Sequence, residues 1–361
     1  MKRRDFLALT AVGSGALTLG ACAPAMLKSA PRVVIVGGGF AGASCARYLR
    51  RVAPNVDVTL IEVQSRYSTC PMSNSVIVGL RDMRSIQVDY SGLRAEGVRV
   101  INAKALAIDA ENHEVRMADG SRIAYERAVV APGIRFLWGT PEGYDEAAAE
   151  IMPHAWKAGA QTERLAAQLR AMPEGGVVAI SVPMAPFRCP PGPYERASLI
   201  ANFLKQNKPR SKVIILDANN KFSKQGLFLE AWKALYPGLI DWVPVTTDGH
   251  VQRVDAAAMT LYTSSHAHRV DVANVIPAQA AAEIALVSGL SEGRGWCPVR
   301  PATLESEFLP DVHVIGDAAI VEPLPKSASA ANSEAKHCAL VIAALLNGRD
   351  PTAPSLHNTC Y

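Results

Sequence analysis

The chain has 361 residues, of which 49% are hydrophobic, 6% aromatic and 19% charged, a length that suggests roughly two domains with large buried cores. The formal net charge is +4. Lys2, Arg3, Arg4 and Lys28 against the single acid Asp5 place +3 of it in residues 1–30, so the remainder is near neutral and, without a basic stripe, excludes nucleic acid as a partner.

Lys2-Arg3-Arg4-Asp5-Phe6-Leu7 is a twin-arginine start. The modestly apolar stretch from Phe6 to Ala21 is too short and too Gly-rich for a membrane span of roughly 20 residues. Residues 1–30 therefore read as an export signal and linker, which predicts a periplasmic protein exported already folded and loaded with its cofactor. Leu19-Gly20-Ala21-Cys22 also resembles a lipoprotein cleavage site, with ordinary cleavage nearby as the alternative. Membrane contact is expected only if Cys22 is lipidated.

The first dinucleotide-binding segment is expected over 31–145. Arg32-Val33-Val34-Ile35-Val36 reads as a buried parallel strand, followed by Gly37-Gly38-Gly39-Phe40-Ala41-Gly42 and a helical pattern to about Arg51. Val58-Thr59-Leu60-Ile61 then ends in Glu62, 20 residues after Gly42. Gly37, Gly39 and Gly42 permit a tight turn and close approach of a pyrophosphate to the helix N-terminus, and Glu62 suits ribose hydroxyls. Ala128-Val129-Val130-Ala131-Pro132-Gly133, and later Val312-His313-Val314-Ile315-Gly316-Asp317-Ala318, resemble the turn that closes the first FAD segment and the second FAD motif of flavoproteins with two dinucleotide domains. On that likeness Gly133, Gly316 and Asp317 face FAD, Asp317 at the ribityl chain. The second segment is expected over 280–361, with a helical pattern from Ser329 to Leu346.

Residues 146–279 read as an inserted, degenerate NAD-binding-like domain. Gly175-Gly176-Val177-Val178-Ala179-Ile180 resembles an opening strand, and Lys212-Val213-Ile214-Ile215-Leu216-Asp217 the next, after a helix from about Tyr194 to Gln206. The intervening turn, Ser181 to Pro186, has two prolines and no glycine fingerprint, so NADH is not expected as electron source. The fold class is thus α/β, two Rossmann-like domains of the FAD/NAD(P)-linked disulfide-reductase kind, the second without a working NAD fingerprint.

Seven cysteines show no metal-ligand spacing. Cys189, in Phe187-Arg188-Cys189-Pro190-Pro191-Gly192-Pro193-Tyr194, and Cys360, in Asn358-Thr359-Cys360-Tyr361, suggest a redox disulfide working with a flavin on a sulfur nucleophile. A structural cross-link, or two thiols that never meet, is the alternative. Cys45, Cys297 and Cys338 read as buried thiols, the last two able to pair. His154 and His337 are open between proton shuttles and satisfied or surface histidines, and Lys326 between a flavin-side cation and a solvated loop lysine.

Tyr67 through Asn74, His154 through Gly159, Phe187 through Arg196, Gly295 through Val299, and Leu356 through Tyr361 are rare strings. Through them the chain resembles the flavoprotein subunit of flavocytochrome c sulfide dehydrogenase across 31–361. The resemblance implies FAD joined covalently to Cys70, a Cys189–Cys360 disulfide beside the isoalloxazine ring, Glu195 as acid/base, sulfide as substrate and a c-type cytochrome subunit as partner. No Cys-x-x-Cys-His motif is present, so haem belongs to another chain. Sulfide:quinone oxidoreduction, or electron transfer without catalysis, are the alternative functions. Family members continue well beyond the segment matching Asn358 to Cys360, whereas this chain stops at Tyr361, which predicts a fraying terminus around Cys360 unless the product is longer.

Overall fold

The computed structural model describes residues 30–292 and 295–359. Its first sheet is five-stranded and parallel, in the spatial order Val312–Val314, Arg127–Val130, Arg32–Val36, Asp57–Ile61, Arg99–Ile101. Val33 to Val36 and Ala128 to Val130 are buried, as continuous apolar runs must be when both sheet faces are covered. The strand from the C-terminal part pairs with Arg127–Val130, so residues nearly 200 apart build one sheet; His313, for example, sits opposite Val129.

The helix Phe40–Val52 follows the glycine turn. It packs against the long helix Ala328–Leu346 through the buried small residues Ala41 and Cys45 on one side and Ala331, Ala335 and Cys338 on the other. Ser327 caps that last helix, its Oγ accepting the Ala330 N–H at 3.1 Å.

A second parallel sheet has the order Ile240–Val243, Lys212–Asp217, Val177–Val182, Val272–Val275. The helix between its first two strands spans Gly192–Asn207, two residues earlier than periodicity suggests. Pro193 occupies the first turn, where no N–H is needed. Ile134–Phe136 and Gln279–Ala281 pair antiparallel where the chain leaves and re-enters the first sheet's part. Among the described residues no helix is long and apolar enough to cross a membrane.

Candidate functional site

The glycine turn is built as a nucleotide turn requires. Gly37 has φ +100° and its N–H donates to Ile61 O at 2.9 Å. A Cβ on Gly37 would overlap the Ala131 carbonyl, and one on Gly42 the Gly37 carbonyl, so both glycines are demanded by the protein's own packing. Gly39 is different: a Cβ there would meet nothing nearer than the Tyr67 ring at 3.6 Å, which leaves room for a ligand. No side chain caps the following helix and its first turn holds no acid, so its free N–H groups and positive end suit a pyrophosphate. Glu62 holds the turn itself, with Oε2 accepting Gly38 N–H at 2.7 Å and Oε1 accepting Gln64 N–H at 2.9 Å. Its remaining lone pairs are what a ribose would use.

Gly316 adopts φ +75° and lies close to the fingerprint helix, where a Cβ would meet that of Ala41 at 2.9 Å. Gly133 also has a positive φ, +68°, with open space around its Cα. Next to Gly316, Asp317 faces Arg188 at 3.8 Å, with side chains only 15% and 14% exposed. Burial pushes the Asp317 carboxyl up, against the pull of Arg188 and Lys326. Lys326 is no solvated loop lysine: its Nζ donates to Ala319 O at 2.7 Å and lies 3.9 Å from the centre of the Trp296 ring. Burial brings it down to about 8, opposed by Asp317 and Glu334. These charges and the glycine turns fit a flavin dinucleotide lying between the two segments.

Cys70, Cys189 and Glu195 come together around Trp156. The thiol of Cys70 reaches Trp156 O at 3.6 Å, and the Arg188 guanidinium donates to the same carbonyl. Cys189 has φ +57°; its N–H donates to Lys326 O at 2.7 Å and its carbonyl accepts Gly192 N–H at 2.9 Å. A Cβ on Gly192 would sit 2.8 Å from the Trp156 ring and 3.0 Å from Cys189 Sγ, so the helix can start this close to the sulfur only with glycine. Glu195, in that helix's first turn, is exposed and accepts from Asn74 Nδ2 at 2.8 Å.

Arg196, which sequence reading passes over, fastens this corner. It is 2% exposed and donates to Asn74 Oδ1 at 2.9 Å, Asn274 Oδ1 at 2.7 Å, His154 O at 3.2 Å and Ala155 O at 2.7 Å. His154 is a satisfied core histidine: its Nδ1 accepts Trp156 N–H at 2.9 Å. Burial, with Arg196 nearby, lowers it to about 3, so its ring is uncharged near neutral pH. His337 is likewise buried, bonded to Ala302 O at 2.8 Å. Cys45, Cys297 and Cys338 are buried free thiols; Cys338 meets Cys45 rather than Cys297.

The C-terminal segment is tied down. Ser327 Oγ donates to Asn358 Oδ1 at 2.6 Å, Ser333 Oγ accepts His357 N–H at 3.0 Å, and Ser329 Oγ accepts Thr359 N–H at 3.0 Å. Cys360 itself, Cys22 and the export signal lie outside the described residues.

In the second sheet, the acid at the end of Lys212–Asp217 is fully buried and saturated internally. Asp217 Oδ2 accepts Tyr194 Oη at 2.6 Å and Trp242 Nε1 at 2.9 Å, while Oδ1 accepts both the N–H and Nδ2 of Asn219 at 2.9 Å. The Tyr194 ring stacks on Phe222 at 3.7 Å. Asn219 also ties down the proline turn, donating to Pro183 O at 2.9 Å and accepting Ala185 N–H at 3.0 Å. The position that would grip the adenosine ribose of a nicotinamide dinucleotide is spent on the protein.

Residues 162–277 match the family described as sulfide dehydrogenase (flavocytochrome c) flavoprotein chain, central, and residues 31–168 match pyridine nucleotide-disulphide oxidoreductase. A sulfide dehydrogenase (flavocytochrome c) flavoprotein chain from Chlorobaculum thiosulfatiphilum is 58% identical over 45 residues, covering 12% of this chain and 94% of that one. The sulfide-quinone reductase of Aquifex aeolicus is 30% identical over 187 residues, 51% of this chain and 42% of the relative, so the match spans under half of that protein's length. The X-ray structure of the Aquifex aeolicus sulfide:quinone oxidoreductase superimposes with a TM-score of 0.75 at 20% identity, covering 88% of this chain and 78% of that one. A ferredoxin reductase from Rhodopseudomonas palustris gives 0.69 at 18% identity, over 90% and 78%; both report the disulfide-oxidoreductase fold. The chain belongs to the family of flavocytochrome c sulfide dehydrogenase flavoprotein chains.

Proposed function

We propose that this chain is the flavin subunit of a periplasmic sulfide-oxidising enzyme. It holds FAD through the two segments above and covalently through Cys70, oxidises sulfide to zero-valent sulfur at a Cys189–Cys360 disulfide, and delivers electrons to a c-type cytochrome subunit. The observation that carries the reading is the convergence on residues 326–329. The Cys189 N–H binds Lys326 O, and Thr359, the residue before Cys360, binds Ser329 Oγ. Cys189 and the residue before Cys360 thus both bind one short stretch beside the Asp317–Arg188 pair. The sulfide-oxidising relatives carry the same substrate in their names.

Gly37, Gly39 and the uncapped helix would hold the pyrophosphate, Glu62 a ribose and Asp317 the ribityl chain. The bound flavin supplies an acceptor for two electrons at once. The chain's own residues do the rest. Hydrosulfide attacks one sulfur of the disulfide; the S–S bond breaks, a persulfide forms on one cysteine and the other leaves as thiolate. Arg188, which interacts electrostatically with Cys189 and Cys70, favours the anionic sulfur. Loss of the outer sulfur with re-formation of the cysteine–cysteine bond gives up two electrons, for which the bound flavin would be the acceptor, and the balance is HS⁻ → S⁰ + H⁺ + 2 e⁻. Glu195, exposed and oriented by Asn74, passes the proton to water.

Purified protein mixed with sulfide is expected to lose its flavin absorption in stopped flow and regain it on addition of cytochrome c. A flavin that sulfide leaves untouched would sink the enzymatic reading. Recovery with a soluble quinone but not with cytochrome c would favour the second reading, quinone reduction, which the Aquifex aeolicus match supports.

NADH and NADPH are expected to produce no bleaching on the same timescale, because Tyr194, Trp242 and Asn219 occupy Asp217 and the Ser181 to Pro186 turn lacks glycine. Rapid bleaching by either nucleotide would overturn that assignment.

A further inference from the structure

Glu334 is a carboxyl the chemistry above does not use. It lies on the helix Ala328–Leu346, is 4% exposed, and its Oε2 accepts the Gly316 N–H at 2.6 Å. The groups facing it come from each neighbouring element: Asp317 beside Gly316, Lys326 from the preceding loop, and Cys338 one turn along its own helix. Asp317 leads on to Arg188 at 3.8 Å, and Lys326 accepts the Cys189 N–H through its carbonyl. The Asp317–Arg188 pair, with Glu334 and Lys326 interacting across a longer range, puts two acids and two cations in one cluster. Its formal charge is zero before any electron enters.

We propose that Glu334 is the proton acceptor of this cluster, taking up one proton from water and so offsetting one of the two negative charges when two electrons enter the flavin cleft. No bond other than the O–H is made: the proton binds the carboxylate and is given back when the electrons leave. The proposal rests on a flavin occupying the cleft. The physical reason is that negative charge arriving in a low-dielectric site raises the proton affinity of every acid beside it. Burial already pushes Glu334 up to about 7, Asp317 adding to the push while the Gly316 N–H and Lys326 oppose it. A small change in local charge then moves it across neutral pH.

The sign follows. Below pH about 7 Glu334 already carries its proton before the electrons arrive, so none is taken up; above it, uptake accompanies reduction. Lys326, at about 8, also titrates at the upper end of this range, so comparison with Glu334→Gln near and above pH 7 separates the two. Potentiometric titration of the holoprotein there is expected to show the reduction equilibrium constant of wild type falling more steeply with pH than that of Glu334→Gln, by up to about tenfold per pH unit. The glutamine keeps an oxygen for the Gly316 N–H, so a merely structural role would leave the slope unchanged.

In the reduced-minus-oxidised infrared spectrum, the wild type should gain a protonated-carboxyl C=O band that Glu334→Gln lacks. Equal pH slopes in the two proteins would overturn the proposal. So would a wild-type difference spectrum without that band, a measurement that stands even if the variant does not fold. Protein that purifies with no flavin absorption at all would overturn both this proposal and the flavin reading. Flavin present with no proton uptake would overturn this one alone.

Discussion

Cys189→Ser and Cys360→Ser are each expected to abolish sulfide-driven reduction of the flavin while leaving the cofactor bound. A serine hydroxyl cannot form the S–S bond that hydrosulfide attacks, and neither cysteine belongs to the glycine turns or the Gly316–Asp317 motif. The double variant should be no worse than either single one, since residues that act as a unit lose their function together. A purely structural bridge predicts otherwise: a stability loss of about 2–4 kcal/mol, with turnover persisting in whatever protein folds.

Stopped-flow absorption together with thermal unfolding separates the two. If folded, flavin-loaded Cys360→Ser still bleaches with sulfide at the wild-type rate, the disulfide mechanism is wrong and Cys189 must act with an external thiol. The anchoring of His357, Asn358 and Thr359 on Ser333, Ser327 and Ser329 makes this a fair test, because it holds the segment without help from Cys360.

What sequence reading captures here is local. Strand Arg32–Val36, its glycine turn and the helix after it form a contiguous run whose constraints are steric, and the Gly37 and Gly42 overlaps with backbone carbonyls explain why the pattern is so plain. Gly39 belongs to the same pattern for another reason, the space it leaves. The buried polar contacts are not local. Arg196 takes its partners from residues 74, 154, 155 and 274, and nothing near position 196 announces them. Tyr194, from the helix, and Trp242, from the neighbouring strand, meet on one oxygen of Asp217, a plug visible in sequence only as missing glycines.

Lys326 and Glu334 are similar cases. In Pro325-Lys326-Ser327 the lysine has the composition of a solvated loop, and in Asn332-Ser333-Glu334-Ala335 the acid looks like an ordinary helix-surface residue. Only the return of strand Val312–Val314 beside Arg127–Val130 brings Gly316 under the helix, where Glu334 takes its N–H.

Wild-type protein is expected to keep its flavin through acid precipitation and to show a fluorescent flavin band on a denaturing gel, whereas Cys70→Ala should lose that band completely and still bind FAD reversibly when folded. The Cys70 thiol meets Trp156 O at 3.6 Å. Its loop is closed by Thr69 Oγ1 donating to Pro71 O at 2.8 Å and by Ser73 N–H donating to Cys70 O at 3.0 Å, and the carbonyl it meets is also held by Arg188.

The nucleotide turns do not involve Cys70, so removing its sulfur should not remove the binding site. It should change retention. A single covalent link makes every rebinding event intramolecular, so the variant should shed flavin on dilution at a rate the wild type never approaches. Cys70→Ser sharpens the test: its hydroxyl can keep the contact with Trp156 O but is a far weaker nucleophile than a thiolate, so it should behave as the alanine variant does in retention. Wild-type protein that gives up all its flavin to acid would show that Cys70 only lines the site, and a covalent band surviving in Cys70→Ala would move the link to another residue.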